Sequence, residues 1–228
     1  MLPRSSPFRT ISRCFSAIVI NACLLALVGY AFWVADWQYS LPTPRPDGLV
    51  QPPLGSRLAL PAGVSSLRRE NRPLVVNFAN AQCPCTEFNL DHLRRLQKMF
   101  GDKVDFMLVL ESSADAAGSQ AEFQSMHLRM PVLYDHAEEA STALGVYGTP
   151  QAAILDDRGR LYYRGNYNRS RYCNEESSEY VRIALSALVQ NRSLPSLPPD
   201  AAVTYGCPLP HRFGPQTANQ PGPEGDRP

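Results

Sequence analysis

The sequence lacks a surplus of charge of either sign, and it has few cysteines. Its 228 residues hold 22 Lys and Arg against 21 Asp and Glu, a formal net charge of +1. Proteins that bind nucleic acid through its phosphates need a clear cationic surplus, so this balance excludes a general nucleic-acid binder. The 6 cysteines are too few for a small disulfide-dense scaffold in a chain of this length.

One segment has no charged residue at all. Residues 14–35 contain no Asp, Glu, Lys or Arg, and at about 1.5 Å of rise per residue they can cross a hydrocarbon core of ~30 Å. Three arginines lie before the segment and Asp36 follows it, so the positive-inside rule places residues 1–13 in the cytoplasm. We predict a single-pass protein of the bacterial inner membrane, with its domain in the periplasm. The alternative is a cleavable signal peptide, whose apolar region is usually shorter.

Proline is abundant, with 21 residues, and unevenly placed. Residues 36–62 are rich in proline and are predicted to form an extended, semi-rigid linker. Residues 208–228 combine proline with very little apolar content, which predicts a disordered tail. A globular domain of residues 63–207 remains between them.

Apolar runs and helical patterns alternate within this domain. The predicted elements are strands at 73–78, 104–110, 131–134, 151–155 and 161–167, and helices at 85–100, around 123–128, at 138–144 and at 180–188. The order β-α-β-α-β-α-β-β-α predicts an α/β domain with a central mixed sheet flanked by helices. Its first strands are parallel because a helical crossover joins each to the next.

Two cysteines follow the first predicted strand and open the first helix. Cys83 and Cys85 are separated only by Pro84. A thiol at a helix N-terminus faces unpaired N–H groups and the positive end of the helix dipole, which lowers its pKa and favours the thiolate. The thiolate is the nucleophile of disulfide exchange, and a second thiol nearby can resolve the mixed disulfide. The pattern therefore predicts redox chemistry, with a pair of buried, inert thiols as the alternative.

A second motif, Gly-Val-Tyr-Gly-Thr-Pro at residues 145–150, precedes the predicted hairpin. Together with the strand–cysteines–helix unit, it resembles the thioredoxin superfamily, specifically the membrane-anchored redoxins of the TlpA-like thiol-disulfide oxidoreductases. The resemblance covers about residues 70–190 and implies a thioredoxin-like fold. The roles that it implies are an attacking cysteine at Cys83, a resolving cysteine at Cys85, a cis-proline at Pro150, and substrate contacts at Pro84 and Thr149. One residue separates the cysteines here, where that family usually has two.

The resemblance also implies what the protein acts on. It indicates a membrane-tethered thiol-disulfide oxidoreductase that acts on exported protein thiols and disulfides through Cys83, Pro84 and Cys85. No organic cofactor is implied, because a redox partner protein supplies or accepts the electrons. Nucleic acid is not an expected partner, and the membrane contact is made by residues 14–35.

Cys173 and Cys207 are the other two exported cysteines. We expect a structural disulfide between them that ties the C-terminal segment to the domain, worth ~3–4 kcal/mol through lost chain entropy. The alternative is a relay in which this pair exchanges with Cys83 and Cys85.

Two other functions remain open at this point. Two thiolates and an imidazole suit Cu(I), so a copper chaperone similar to the Sco proteins would use Cys83, Cys85 and His136 as metal ligands. The second alternative is a non-catalytic interaction module on the same fold, in which the cysteines are unreactive.

Overall fold

A long apolar helix precedes an α/β domain in the computed structural model, which describes residues 7–111 and 115–209. Helix α1 (Pro7–Ala35) is, within these described residues, the one helix long and apolar enough to cross a membrane. This confirms that the predicted apolar segment is helical. The chain divides after Leu41 into two compact units, and the second begins at Pro42.

The second unit contains five α-helices and seven strands among its described residues. The helices are α2 (Ala62–Leu67), α3 (Pro84–Phe100), α4 (Ala116–Ser125), α5 (Glu139–Leu144) and α6 (Tyr180–Leu188). The strands are β1 (Leu74–Asn80), β2 (Asp105–Glu111), β3 (Val132–Tyr134), β4 (Gly148–Thr149), β5 (Gln151–Leu155), β6 (Leu161–Gly165) and β7 (Cys207–Pro208).

The main sheet has the strand order β3-β2-β1-β5-β6. Strand β1 pairs in parallel with β2, and β2 with β3, whereas β5 and β6 run antiparallel. Residues of α3 and α6 pack with the sheet in one apolar core, and residues of α2 and α5 pack with it in another. This is the predicted thioredoxin-like fold, a central mixed sheet flanked by helices.

A second, smaller sheet is formed by β4 and β7 alone. The two strands are antiparallel, with Gly148 opposite Pro208 and Thr149 opposite Cys207. The C-terminal end of the domain is thereby placed beside the loop that precedes β5. This pairing was not among the predicted elements.

Beyond Leu41, the structure differs from the extended linker predicted for residues 36–62. The Thr43 N–H donates to Thr204 O at 2.7 Å, the Gly55 N–H donates to Leu161 O at 2.7 Å, and Leu49 is buried. The prolines prevent regular helix and strand in this segment, but they do not prevent it from packing on the domain. The domain therefore begins at residue 42 rather than 63.

The predicted disordered tail lies outside the described residues from residue 210 onward. Its first two residues belong to the domain, because Pro208 is in β7 and Leu209 is buried in the core that contains α5. The predicted cytoplasmic segment is residues 1–13, and its residues 1–6 lie outside the described residues.

Candidate redox site

Cys83 marks the start of α3. Strand β1 ends at Asn80, the Cys83 N–H donates to Asn80 O at 3.1 Å, and the Thr86 N–H donates to Cys83 O at 2.9 Å. Cys83 is the N-cap residue, and Pro84 takes the first helical position, where its fixed φ suits the helix and its missing N–H costs no hydrogen bond. The sequence pattern thus placed Cys83 correctly at the N-terminus of this helix.

Cys83 forms a disulfide with Cys207, with a Cα–Cα distance of 6.0 Å. Cys207 is carried on β7, where it lies opposite Thr149. The Thr149 carbonyl oxygen is 3.7 Å from the Cys83 sulfur, and the peptide bond between Thr149 and Pro150 is cis. The structure therefore brings together Cys83, Thr149 and Pro150, and adds Cys207 to them.

The expected bridge between Cys173 and Cys207 is not formed, and this prediction is corrected. Strand β7 carries Cys207 to Cys83, whereas the Cys173 sulfur is buried at 3.2 Å from Asn89 Oδ1. Cys85 does not pair with Cys83 either. It is fully buried and is present as a thiol.

The position predicted to receive a substrate backbone is taken by the chain itself. Thr149 pairs with Cys207 in the structure, so β7 occupies the edge of β4. Pro84, the other predicted substrate contact, is half-buried at the start of α3. Cys207 is half-buried and Cys83 is only 2% exposed, so Cys207 is the more accessible residue of the disulfide.

Gly206 allows the C-terminal segment to approach this closely. Its φ is +97°, and a β-carbon there would collide with the Thr149 carbonyl oxygen and lie 3.6 Å from Cys85 Cβ. Glycine adopts such a φ without steric cost, and other residues do not. Gly206 therefore lies against the backbone of Thr149 and beside the second cysteine of the motif.

A buried polar face of α3 continues inward from the site. Cys85, Asn89 and His92 are all buried, and their spacing of four and three residues puts them on one side of the helix. Burial raises the pKa of Cys173 to about 12; the Arg95 charge opposes this rise, and the charges of Glu179 and Cys85 add to it. Cys173 is consequently a protonated thiol at neutral pH.

His92 lies at the inner end of this face. Its Nδ1 is 3.3 Å from Glu179 Oε1, and its ring meets the Tyr167 ring edge-on at 6.0 Å. Burial lowers the pKa of His92 to about 4, against the charge of Glu179, with Arg95 and Arg182 lowering it further. The imidazole is therefore neutral at pH 7, and its contact with Glu179 is a hydrogen bond rather than an ion pair.

The predicted copper ligands are not brought together. Cys83 is in the disulfide with Cys207, and the exposed His136 stacks on Tyr134 at a centroid distance of 6.4 Å. Across residues 7–111 and 115–209, no group of three His, Cys, Asp or Glu side chains is placed to hold a metal ion. The copper-chaperone alternative consequently has no ligand set in this structure.

Sequence reasoning missed the pairing of Cys207 and the contacts of Gly206 and Asn89. Cys207 is 124 residues from Cys83, a separation at which no local pattern indicates a partner. The Gly-Cys-Pro sequence at residues 206–208 was the available signal, since a glycine often marks a site where another part of the backbone approaches closely.

The topology of the main sheet defines a thioredoxin-like fold, and a disulfide lies at the start of α3. Residues 57–208 match the family described as a domain of unknown function, DUF6436, and the chain belongs to that family.

Two solved structures of uncharacterized proteins share this fold. One, from Geobacillus kaustophilus, is 22% identical with a TM-score of 0.58, over 74% of this chain and 97% of that one. The other, a hypothetical protein from Sinorhizobium meliloti, is 21% identical with a TM-score of 0.55, over 70% of this chain and 95% of that one. The structure of DsbF of Mycobacterium tuberculosis, in mixed oxidized and reduced forms, is 19% identical with a TM-score of 0.40, over 52% of this chain and 82% of that one.

Proposed function

We propose that this protein is a membrane-anchored thiol-disulfide oxidoreductase that acts on the thiols and disulfides of exported proteins. The observation that carries the proposal is the disulfide between Cys83 and Cys207, which lies where α3 begins and against the backbone before Pro150. Helix α1 supplies the anchor, and the three arginines that precede its uncharged stretch at residues 14–35 favour a periplasmic domain.

Reduction of a substrate disulfide begins at Cys83. Its thiolate, favoured by the unpaired N–H groups at the start of α3, attacks one substrate sulfur, and the other substrate sulfur leaves as a thiolate. The Cys207 thiolate then attacks the Cys83 sulfur, which forms the disulfide seen in the structure and releases the second substrate sulfur. Two electrons pass from Cys83 and Cys207 to the substrate, and a partner dithiol restores them.

Strand exchange accompanies this chemistry. The backbone of Thr149 pairs with Cys207 over a strand of only two residues, so few hydrogen bonds hold β7 at this edge. A substrate segment takes the place of β7 on Thr149, beside Pro84 and Pro150. When β7 returns it brings Cys207 back to Cys83, so that resolution of the mixed disulfide and release of the substrate strand occur together.

A trapping experiment on the full-length protein in detergent tests this assignment. Cys207→Ser should accumulate a mixed disulfide between Cys83 and a disulfide-bonded peptide, because the thiol that resolves it is gone. Cys83→Ser should form none, and mass spectrometry of quenched samples identifies the linked cysteine. Cys85→Ser is the matched comparison, and it should resolve the mixed disulfide at the wild-type rate.

Two outcomes would contradict the proposal in different ways. Trapping by Cys85→Ser instead of Cys207→Ser would return the resolving role to Cys85, as the sequence resemblance implies. A Cys83–Cys207 disulfide that never exchanges with thiols would make it a structural bridge and the domain an interaction module.

A further inference from the structure

Two buried thiols beside the redox disulfide have no part in the proposed mechanism. Cys85 is fully buried and Cys173 is 4% exposed, and both are present as thiols. They come from distant parts of the chain, since Cys85 is in the first turn of α3 and Cys173 is in the segment between β6 and α6. Both thiols are thus buried in the domain that carries the disulfide between Cys83 and Cys207.

Asn89 shows that these two thiols share one side of α3. Residues four apart on a helix are neighbours on its surface, so Asn89 lies directly beyond Cys85. The Cys173 sulfur is 3.2 Å from Asn89 Oδ1, which places Cys173 against the same face. Charge on Cys85 is also among the causes that raise the pKa of Cys173, as expected for sulfurs in each other's vicinity.

The C-terminal segment connects this inner pair with the outer disulfide. Gly206 is positioned so that a β-carbon on it would lie 3.6 Å from Cys85 Cβ, and the next residue, Cys207, is bonded to Cys83. Cys83 is the N-cap residue, with an extended backbone, and lies outside the helical turn that carries Cys85. Cys207 is therefore better placed than Cys83 to receive an attack by Cys85.

We propose that Cys85 and Cys173 form a second, buried redox pair that exchanges with the disulfide between Cys83 and Cys207. This rests on the proposed function and adds a second two-electron site to it. The Cys85 thiolate attacks the Cys207 sulfur, which forms a bond between Cys85 and Cys207 and releases Cys83 as a thiolate at the start of α3. Cys173 then loses its proton and attacks Cys85, which forms the inner disulfide and releases Cys207.

The exchange balances without any external reactant. The inner pair is oxidised by two electrons, the outer pair is reduced by two, and the two protons lost by the inner thiols are taken up by the outer ones. The outer pair is thereby returned to its reduced form inside the domain. The high pKa of Cys173 makes the second step slow at neutral pH and faster as the pH rises.

The test uses the full-length protein in detergent with Cys14→Ala and Cys23→Ala, so that only the four domain cysteines are scored. After equilibration with oxidised glutathione, the samples are acid-quenched, denatured and alkylated, and disulfide-linked peptides are mapped. We expect a peptide that links Cys85 to Cys173, and complete loss of alkylation at both. The proposal is overturned if both cysteines remain fully alkylated while Cys83 and Cys207 are linked.

A pair of variants separates the inner pair from the outer one. Cys83→Ser with Cys207→Ser should leave Cys85 and Cys173 as thiols, because both are buried and the outer disulfide that oxidises them is gone. Cys173→Ser should retain only the link between Cys83 and Cys207. Cooperative thermal unfolding shows whether each variant is folded, and the glutathione experiment on the four-cysteine protein decides the question if one is not. A responsive outer disulfide without an inner link would overturn this inference alone, whereas an outer disulfide inert to glutathione would overturn the proposed function.

Discussion

At the scale of single residues, Gly206 determines how closely the C-terminal segment can approach the redox site. Its φ of +97° and the collision that a β-carbon would make with Thr149 O both oppose substitution. Gly206→Ala should therefore destabilise the fold by roughly 1–3 kcal/mol and reduce the fraction of protein with Cys83 bonded to Cys207. Thermal unfolding and alkylation at one fixed glutathione ratio measure the two effects.

Gly55 provides the matched control for that substitution. Its φ is +85°, but a β-carbon there would meet nothing within 4 Å. Gly55→Ala should carry only the backbone cost of a left-handed conformation, about 1–2 kcal/mol, with no change in the disulfide fraction. Equal effects of the two substitutions on the disulfide would show that contact at Gly206 is not what positions Cys207.

At the scale of secondary-structure elements, the end of β2 holds a buried carboxyl group that titrates in an unusual range. Burial, together with the charges of Asp135 and Glu138, raises the pKa of Glu111 to about 8. The folded protein thus retains a proton that the unfolded chain loses near the ordinary value of 4.5. Stability should therefore fall as the pH rises from about 4.5 to about 8, by up to about 1.4 kcal/mol per pH unit.

Glu111→Gln tests this directly, because it removes the proton exchange and keeps the shape of the side chain. The slope of the unfolding free energy between pH 6.5 and 8 should flatten, and the exposed control Asp157→Asn should leave it unchanged. Below pH 6.5 the neutral, buried His92 acts in the opposite direction, since its lowered pKa of about 4 makes stability fall as the pH falls. An unchanged slope in Glu111→Gln would show that another group titrates there.

At the scale of the whole molecule, the first prediction concerns attachment to the membrane. Leu24 and Leu25 lie at the middle of residues 14–35, and each lysine placed at the centre of a spanning helix costs about 2.5–3.5 kcal/mol. Leu24→Lys with Leu25→Lys should move the protein out of the membrane fraction after an alkaline wash. Leu24→Ala with Leu25→Ala should remain there, and retention of both variants would contradict the proposed anchor.

Local patterns predicted the strands of the main sheet and helices α3, α5 and α6, because each carries its own signal. Helix α2 was not predicted, and the helix predicted around residues 123–128 is α4, which ends at Ser125. The apolar run of β1, the glycine stop after α3 and the hairpin of β5 and β6 are all found where the sequence indicated. Segments whose position depends on distant partners were not predictable in this way. Residues 42–62 have a composition typical of a linker, yet Leu49 is buried, and the backbones of Thr43 and Gly55 donate hydrogen bonds to Thr204 and Leu161, far away in sequence.

The candidate site likewise has one part that local sequence predicts and one part that depends on distant residues. The position of Cys83 follows from its place between a strand and a helix, and Thr149 with Pro150 comes to it as the resemblance implies. The partner of Cys83 depends instead on where β7 docks, which only the three-dimensional structure shows. Long-range pairing of a two-residue strand leaves no periodic signal in the sequence.

The central claim is that the disulfide between Cys83 and Cys207 is redox-active, and one titration tests it most directly. The full-length protein in detergent is equilibrated without denaturant across a series of glutathione ratios, quenched with acid and alkylated, and the linked and alkylated forms of both cysteines are counted by mass spectrometry. We predict that Cys83 and Cys207 convert together from disulfide to thiols within the range that glutathione covers. A disulfide that stays intact at every ratio in the folded protein would contradict it.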